Sequence, residues 1–451
     1  MGRALLLGLV GGCAAKLAPG DWPMWGQNAK YASSKDVSDA KAGDREEWTF
    51  TAGDRVVGSP AVALGRVWFG SDDGAMYCVD ASTGAKVWAW RPASAEYGDC
   101  SPNYCEHGLC ACGKIRSSPA VDDEGSVYFG SYDFHVYKVD KDGKTVWSVP
   151  TGGAIYGPVT LSDDGFAYVG SFDGFVYAIA ASDGTVAWKA EVGSHGDAGW
   201  VIAGGLLFGQ TNEGGHCSAW PPPDVPGYAE HSCDEKAPAG SADACGQCHA
   251  IALDAKTGAA KWSQNTTAPG GGGSFVGGAD GFYVQGDWSG AVAAYDADVT
   301  GAAPTISEAA RWTLNVGGDV ETHPAYSVNA AGAVDAVYVS TEDPSHALYA
   351  LDPATGAIKW RYNDTNATLN SSPAVTEETV YVGSNDHLLH AVDRATGARK
   401  WTFPTIATIF SSPAIDDGGM VYVGCNSATG QNTDLGLGAV YAVNPKKRAS
   451  A

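Results

Sequence analysis

Basic side chains are scarce: 28 Lys and Arg stand against 51 Asp and Glu, for a formal net charge of −23. Such a chain repels a phosphate backbone, and no basic stripe interleaved with aromatics interrupts the acidity, so nucleic acid is excluded as a partner. Long apolar runs are missing too. The run at residues 4–10 of "MGRALLLGLVGGCAA" is too short to span a bilayer as a mature helix, and no other stretch is apolar enough. The chain also lacks a glycine-rich phosphate loop, an HExxH pair and a G-x-S-x-G elbow, the usual marks of nucleotide hydrolysis, zinc proteolysis and serine-esterase chemistry. Methionine is limited to four residues.

What is present begins with an export signal. Arg3, the short apolar run and the small residues after it give residues 1–15 that layout. "LVGGC" also has the form of a bacterial lipoprotein signal, in which Cys13 is lipidated, so cleavage and lipidation both stay open; a myristoyl site lacks its Ser or Thr. Eight of the eleven cysteines form two tight groups, Cys100/Cys105/Cys110/Cys112 and Cys217/Cys233/Cys245/Cys248. In an exported chain such even sets imply disulfides, with three pairings open inside each group; zinc held by "CEHGLCAC" is the weaker alternative.

A self-similar unit organises the rest. It is plain in "SPAVALGRVWFGSDDGAMYCVDASTGAKVW" (59–88), "SPAVDDEGSVYFGSYDFHVYKVDKDGKTVW" (118–147) and "SPAVTEETVYVGSNDHLLHAVDRATGARKW" (372–401). Alternating apolar runs separated by Asp/Asn/Gly turns read as one antiparallel sheet of short strands per repeat. Trp48, Trp88, Trp147, Trp188, Trp262, Trp312, Trp360 and Trp401 recur once per unit, which predicts eight sheets with an inter-blade plug in each. The last copy stops before its tryptophan strand, and "REEWTF" with Trp48 supplies it from the other end. The expected fold is therefore all-β: an eight-bladed β-propeller of four-stranded antiparallel blades, closed by an N-terminal strand pairing with the last blade. Its expected extent is 45–445, after a lead-in at 16–44 and before a tail at 446–451, with cysteine-rich insertions at 91–116 and 211–248.

The repeats resemble those of the PQQ-like β-propellers. "VYVGSNDHLLHAVDRATGARKW" (380–401) and "AYVGSFDGFVYAIAASDGTVAW" (167–188) match the pattern VYVGSxDGxVYALDxxTGxxxW, and "DWPMWGQNA" looks like the lead-in of the same family. The resemblance implies the propeller fold. It leaves function divided, because the superfamily holds quinone-dependent alcohol dehydrogenases and non-catalytic outer-membrane assembly scaffolds.

Both insertions, and a smaller one at 425–438, belong to connections on one face of such a propeller, the face where quinone enzymes of this fold hold their cofactor. Loops gathered on one face mark a functional surface. Residues preceding the innermost strands should ring the channel mouth there. The departures from the repeated "SSP" are Arg116, Tyr156, His195, Asp197, Glu321, His323 and Asn370, a set suited to an anionic or polyol-like ligand, or to a cation.

For a quinone dehydrogenase the resemblance implies PQQ stacked in the channel, calcium held by oxygen ligands such as Glu321 and Asn370, and an acidic base. The adjacent Cys-Cys pair of many alcohol-oxidising members is absent. Haem c is disfavoured although "CGQCH" (245–249) spells its attachment motif: the preceding stretch is proline-rich without helical periodicity, and no methionine is placed as a distal ligand. His249 stands five residues before Asp254, as His135 stands five before Asp140 in a repeat with no CxxC, so the repeat accounts for it.

The reading that follows is an exported, monomeric propeller binding a protein or a polar small-molecule or carbohydrate ligand through its disulfide-capped face. A PQQ-dependent alcohol or sugar oxidoreductase and an outer-membrane assembly scaffold lipoprotein are the alternatives. Sequons at Asn265, Asn363, Asn366 and Asn370 would place glycans on the same face in a eukaryotic secretory pathway.

Overall fold

A computed structural model describes residues 45–92, 113–192, 199–212, 248–266, 273–276, 281–299, 305–329, 333–365, 367–426 and 437–447. These residues form eight four-stranded antiparallel sheets and no helix. Seven sheets are simple meanders in chain order, from β2(Ala61–Ala63), β3(Arg66–Gly70), β4(Met76–Asp80) and β5(Lys86–Trp90) in blade 1 to β26(Ala374–Val375), β27(Thr379–Gly383), β28(Leu388–Asp393) and β29(Arg399–Pro404) in blade 7. The eighth joins β30(Ala414–Ile415), β31(Val421–Cys425) and β32(Ala439–Val443) to β1(Glu46–Thr51) from the other end of the chain, with Trp48 opposite Ala442. Closure of this kind leaves no long unpaired edge.

The first strand of each blade is innermost: β2 touches β30 and β6(Ala120–Val121), and β22(Ala325–Val328) touches β26. In a meander the start of strand one, the turn between strands two and three and the end of strand four share one face. The strand ends bounding all three insertions, at Trp90, Asn212, Cys248, Cys425 and Ala439, open there.

Each tryptophan fastens its blade to the next. Its indole N–H donates to a turn carbonyl of the following blade: Trp48 to Ala81 (2.8 Å), Trp88 to Lys141 (3.0 Å), Trp147 to Ala181 (3.1 Å) and Trp188 to Ala255 (3.0 Å). Trp262 reaches Ser307, a strand residue of the next blade (3.2 Å), while Trp312 reaches Pro353 (3.0 Å) and Trp360 Arg394 (3.0 Å) in turns. The turn's "TG" glycine lies flat on the ring because it has no side chain: Gly356, at φ +72°, would carry a Cβ only 2.7 Å from Trp312. That is why "DxxTG" and tryptophan recur together. Trp401 packs instead beneath Arg45.

A second repeated device sits nearer the axis. A buried aliphatic residue ahead of the innermost strand in six blades, Val56, Ile115, Ile155, Val320, Leu369 or Ile409, donates its N–H to a carbonyl at or just past the end of strand two of the blade before, as from Ile115 to Ser71 (3.1 Å). The glycine of "VYVGS" makes room for it; a Cβ on Gly130 would lie 2.1 Å from Ile155. The second serine of "SSP" then links blades. Ser372 N–H donates to Ser412 Oγ (2.9 Å), Ser412 N–H to Ser59 Oγ (2.7 Å), and Ser59 N–H to Ser118 Oγ (2.9 Å).

Candidate functional site at the channel mouth

Two backbone registers, present together among the described residues in blades 1, 2, 3, 6, 7 and 8 and filled by different side chains, build the mouth. The first is the residue after the aliphatic plug: Val57, Arg116, Tyr156, Glu321, Asn370 and Phe410. The second is the variable residue of "GSxD" between strands two and three: Asp72, Tyr132, Phe172, Glu342, Asn385 and Asn426. The backbone N–H of each of these donates to the carbonyl just ahead of a plug: Asp72 to Arg55, Tyr132 to Lys114, Phe172 to Ala154, Glu342 to Asp319, Asn385 to Thr368 and Asn426 to Thr408. The registers interleave, so a turn residue can meet the loop residue of its own blade and of the next.

Between blades 1 and 3 this interleaving gathers cations and aromatics. Arg116 grips Asp72 with both arms, Nε to Oδ1 at 2.8 Å and Nη2 to Oδ2 at 2.7 Å, and Arg55 Nη2 meets the same carboxylate at 2.8 Å. Burial works against the Asp72 charge, but the two guanidiniums hold its carboxyl below the usual range. Arg116 also lies 5.3 Å over Tyr132, whose ring faces that of Tyr156 at 6.5 Å. Tyr156 is 37 % exposed.

Blades 6 and 7 carry the opposite sign. Glu342 is bonded to Glu321, accepts from Asn370 Nδ2 at 2.5 Å, and stands among Asp319 and Asp343. Asn370 Oδ1 in turn accepts from Thr368 (3.0 Å) and from Asn385 Nδ2 (2.9 Å). Burial first, and Glu321 second, push the Glu342 carboxyl up to about 9, so the pair holds a proton more readily than two separate carboxylates do.

Of the residues singled out in the sequence, Arg116 and Tyr156 come together at the cationic pole, and Glu321 and Asn370 at the acidic pole. His323 stands apart. Buried, it holds the serine position of blade 6, donating its N–H to Ser372 Oγ (3.0 Å), while its Nδ1 meets the Gly273 carbonyl of blade 5 at 2.8 Å. The carbonyl requires Nδ1 to carry a hydrogen, and burial pushes the ring's pKa down to about 4.

His195, Asp197 and Cys13 lie outside the described residues. So do seven of the eight cysteines expected in disulfides, namely Cys100, Cys105, Cys110, Cys112, Cys217, Cys233 and Cys245, and the side chain of the eighth, Cys248. The expected disulfide cap is therefore not among the contacts the structure describes. Among the described residues, Cys78 and Cys425 are buried free thiols, and burial pushes the Cys425 thiol up to about 11. The "CH" of the haem-like motif opens β16(Cys248–Asp254), where His249 pairs with Thr211 and Asn265 in regular β-structure. Beyond β32, which ends at Val443, the carbonyls of Pro445 and Lys447 accept from Arg45.

Asp72, Tyr132, Glu342 and Asn385 were not singled out, although each fills the "x" of "GSxD" or its equivalent. A blank in a repeat pattern names a position whose backbone is fixed and whose side chain is free to specialise.

The fold and its repeats define the class: a PQQ-type eight-bladed propeller with tryptophan-docked blades. The family model described as outer membrane protein assembly factor BamB matches residues 37–104, 132–220, 247–401 and 299–447, and the chain belongs to that family. Similar solved structures include the quinohemoprotein alcohol dehydrogenase from Comamonas testosteroni (16 % identity, TM-score 0.65, covering 97 % of this chain and 82 % of that one). A europium-containing methanol dehydrogenase is alike at 14 % identity and TM-score 0.65, over 95 % and 99 % of the two chains. BamB from Moraxella catarrhalis is alike at 14 % identity and TM-score 0.55, over 88 % and 96 %. At such identities the likeness is one of fold. No curated protein sequence matches the chain.

Proposed function

We propose that the protein is an exported binding or scaffold module that engages its ligand or partner through the face carrying the blade-to-blade connections. The observation behind this is the contrast between repetition and specialisation. Tryptophans, plugs and serines repeat around the ring, while the two registers at the mouth hold different side chains sorted into a cationic and an acidic pole. Structural need explains the first set and not the second. The family's name adds a specific version, a lipoprotein that assists outer-membrane protein assembly, in which Cys13 carries the lipid and the partner is a protein.

The second reading is a quinone-dependent oxidoreductase acting on an alcohol or sugar, favoured by Glu342, whose carboxyl is pushed up by burial and by Glu321, a pair suited to proton transfer. The mouth fits PQQ with calcium poorly. Asn370 turns its nitrogen, not its oxygen, toward Glu342, and among the described residues no set of three His, Cys, Asp or Glu side chains, the carboxylates around Glu342 included, is arranged so that it could hold a metal ion. No catalytic step is derived through that cofactor.

A UV–visible spectrum of the exported protein, as purified and after addition of PQQ with calcium, decides between the readings. The binding module gives no chromophore and no dye-linked alcohol oxidation. A stoichiometric quinone band with alcohol oxidation overturns it, and a Soret band would restore the haem. Mass spectrometry of the mature protein, with and without reduction, tests lipidation of Cys13 and the disulfides of the cap.

A further inference from the structure

The cationic pole holds more positive charge than its internal partners use. Arg55, Lys114 and Arg116 surround one carboxylate, Asp72, which already receives Arg116 bidentately and Arg55 at 2.8 Å. Lys114 is half-buried directly ahead of the plug Ile115, with its backbone fixed by the Tyr132 N–H (2.9 Å). Among the described residues its ammonium meets no hydrogen-bond or ion-pair partner, although Asp72, Arg116, Arg55 and Asp54 all act on it. The second carboxylate, Asp54, accepts from the Arg55 backbone N–H at 2.7 Å. Burial depresses the Lys114 pKa; Asp72 opposes this and the two guanidiniums add to it, and the net direction is down, so the ammonium is held where its charge is incompletely compensated. In a chain of net charge −23, an unmatched cation beside two arginines is not explained by solubility. Tyr132 and Tyr156 border the cluster and give it a partly exposed aromatic wall.

We propose that Lys114, Arg116 and Arg55 form an oxyanion-binding site at the channel mouth between blades 1 and 2, which takes a carboxylate or phosphate group. Lys114 supplies the point charge. Arg116 and Arg55, oriented by Asp72, present the N–H groups that Asp72 does not occupy, and Tyr156 covers the group's flank. This rests on the binding-module reading and gives it a ligand class. The anion can be free in solution or the acidic side chain of a partner polypeptide.

The test is calorimetric titration of the mature protein with citrate, inorganic phosphate and a hexaglutamate peptide, with hexalysine as control, repeated on Lys114→Gln and Arg55→Gln. The expected result is salt-sensitive binding of at least one anionic probe, weakened tenfold or more in Lys114→Gln, while any uptake of hexalysine by the acidic surface is the same in the wild type and both variants. Tighter binding of hexaglutamate than of citrate assigns the site to a partner's acidic segment; the reverse order assigns it to a free anion. Thermal melting supplies a second readout, because removing an uncompensated buried charge leaves apo Lys114→Gln at least as stable as the wild type. A lysine with a merely structural role would instead lower the melting temperature and leave titrations unmoved. Probe binding unaffected by both substitutions, or absent altogether, overturns the site while leaving the spectroscopic test of the binding module intact. A quinone chromophore would overturn the module while leaving this titration standing.

Discussion

The guanidinium carbon of Arg45 lies 4.4 Å from the ring centroid of Trp401, at the blade junction where the ring is closed by the two ends of the chain. Elsewhere a turn of the following repeat meets the tryptophan. In blade 8 the corresponding turn is split between residues 444–447 and Arg45, and Arg45 bridges the gap by donating Nη1 to the Pro445 carbonyl at 2.6 Å.

Arg45→Ala removes both the ring contact and the buried donor. It should lower stability by about 2–4 kcal/mol, with Arg45→Lys intermediate. Denaturant midpoints at constant slope check this, and a midpoint equal to wild type would remove Arg45 from the closure.

At an ordinary junction the pair is Trp312 and Gly356. Trp312→Ala should cost roughly 3–5 kcal/mol as a buried large-to-small change. Gly356→Ala should cost about 1–3 kcal/mol, because its positive φ and the 2.7 Å approach to the indole both penalise a Cβ. The two substitutions share one contact, so the double variant should lose less than the sum. Strict additivity would show that the glycine and the indole act independently.

His323 is neutral in the fold, with a pKa near 4 against 6.5 in the unfolded chain. The unfolded state therefore binds more protons in this interval, and stability falls as pH drops from about 6.5 to about 4. Urea unfolding at pH 7 and pH 4.5 reads the loss. His323→Ser, which restores the residue found in the neighbouring repeats, should reduce the dependence on acid, and an unchanged slope would assign it to other groups.

Glu342 has the opposite sign. Its pKa rises from 4.5 to about 9 on folding, so the native state binds more protons between these values. Its contribution is full below about pH 4.5 and is lost as pH climbs toward 9. Glu342→Gln keeps an acceptor for Asn370 but cannot ionise, and should flatten the fall in melting temperature between pH 7 and pH 9.5. Burial also raises Asp319, whose charge is opposed further by Asp343 and Asp287, so a residual slope should remain.

The fold was legible because its signals are local. Hairpin turns such as "SDDG", alternation within short strands and a tryptophan closing each repeat are all contained within about thirty residues. The site was legible only in part. Arg116, Tyr156, Glu321 and Asn370 interrupt a repeated "SSP" and so stand out, whereas Asp72 and Glu342 fill a position the repeat leaves blank. His323 interrupts the same motif and yet faces blade 5, because the motif contains both a mouth position and an inter-blade position within three residues.

The sequence by itself determined the number of blades, the strand order and the tryptophan at each junction, since these follow from periodicity and hairpin chemistry along a continuous stretch of chain. Only the tertiary structure decided which variable side chains meet. Glu342 and Asn370 are 28 residues apart and Arg116 and Asp72 are 44 apart; the latter pair touches because one blade's turn nests against the next blade's entry loop. The sign of charge at each pole is a product of that interleaving. The same is true of Arg45, whose partner carbonyl lies 400 residues away and is brought to it by closure of the ring.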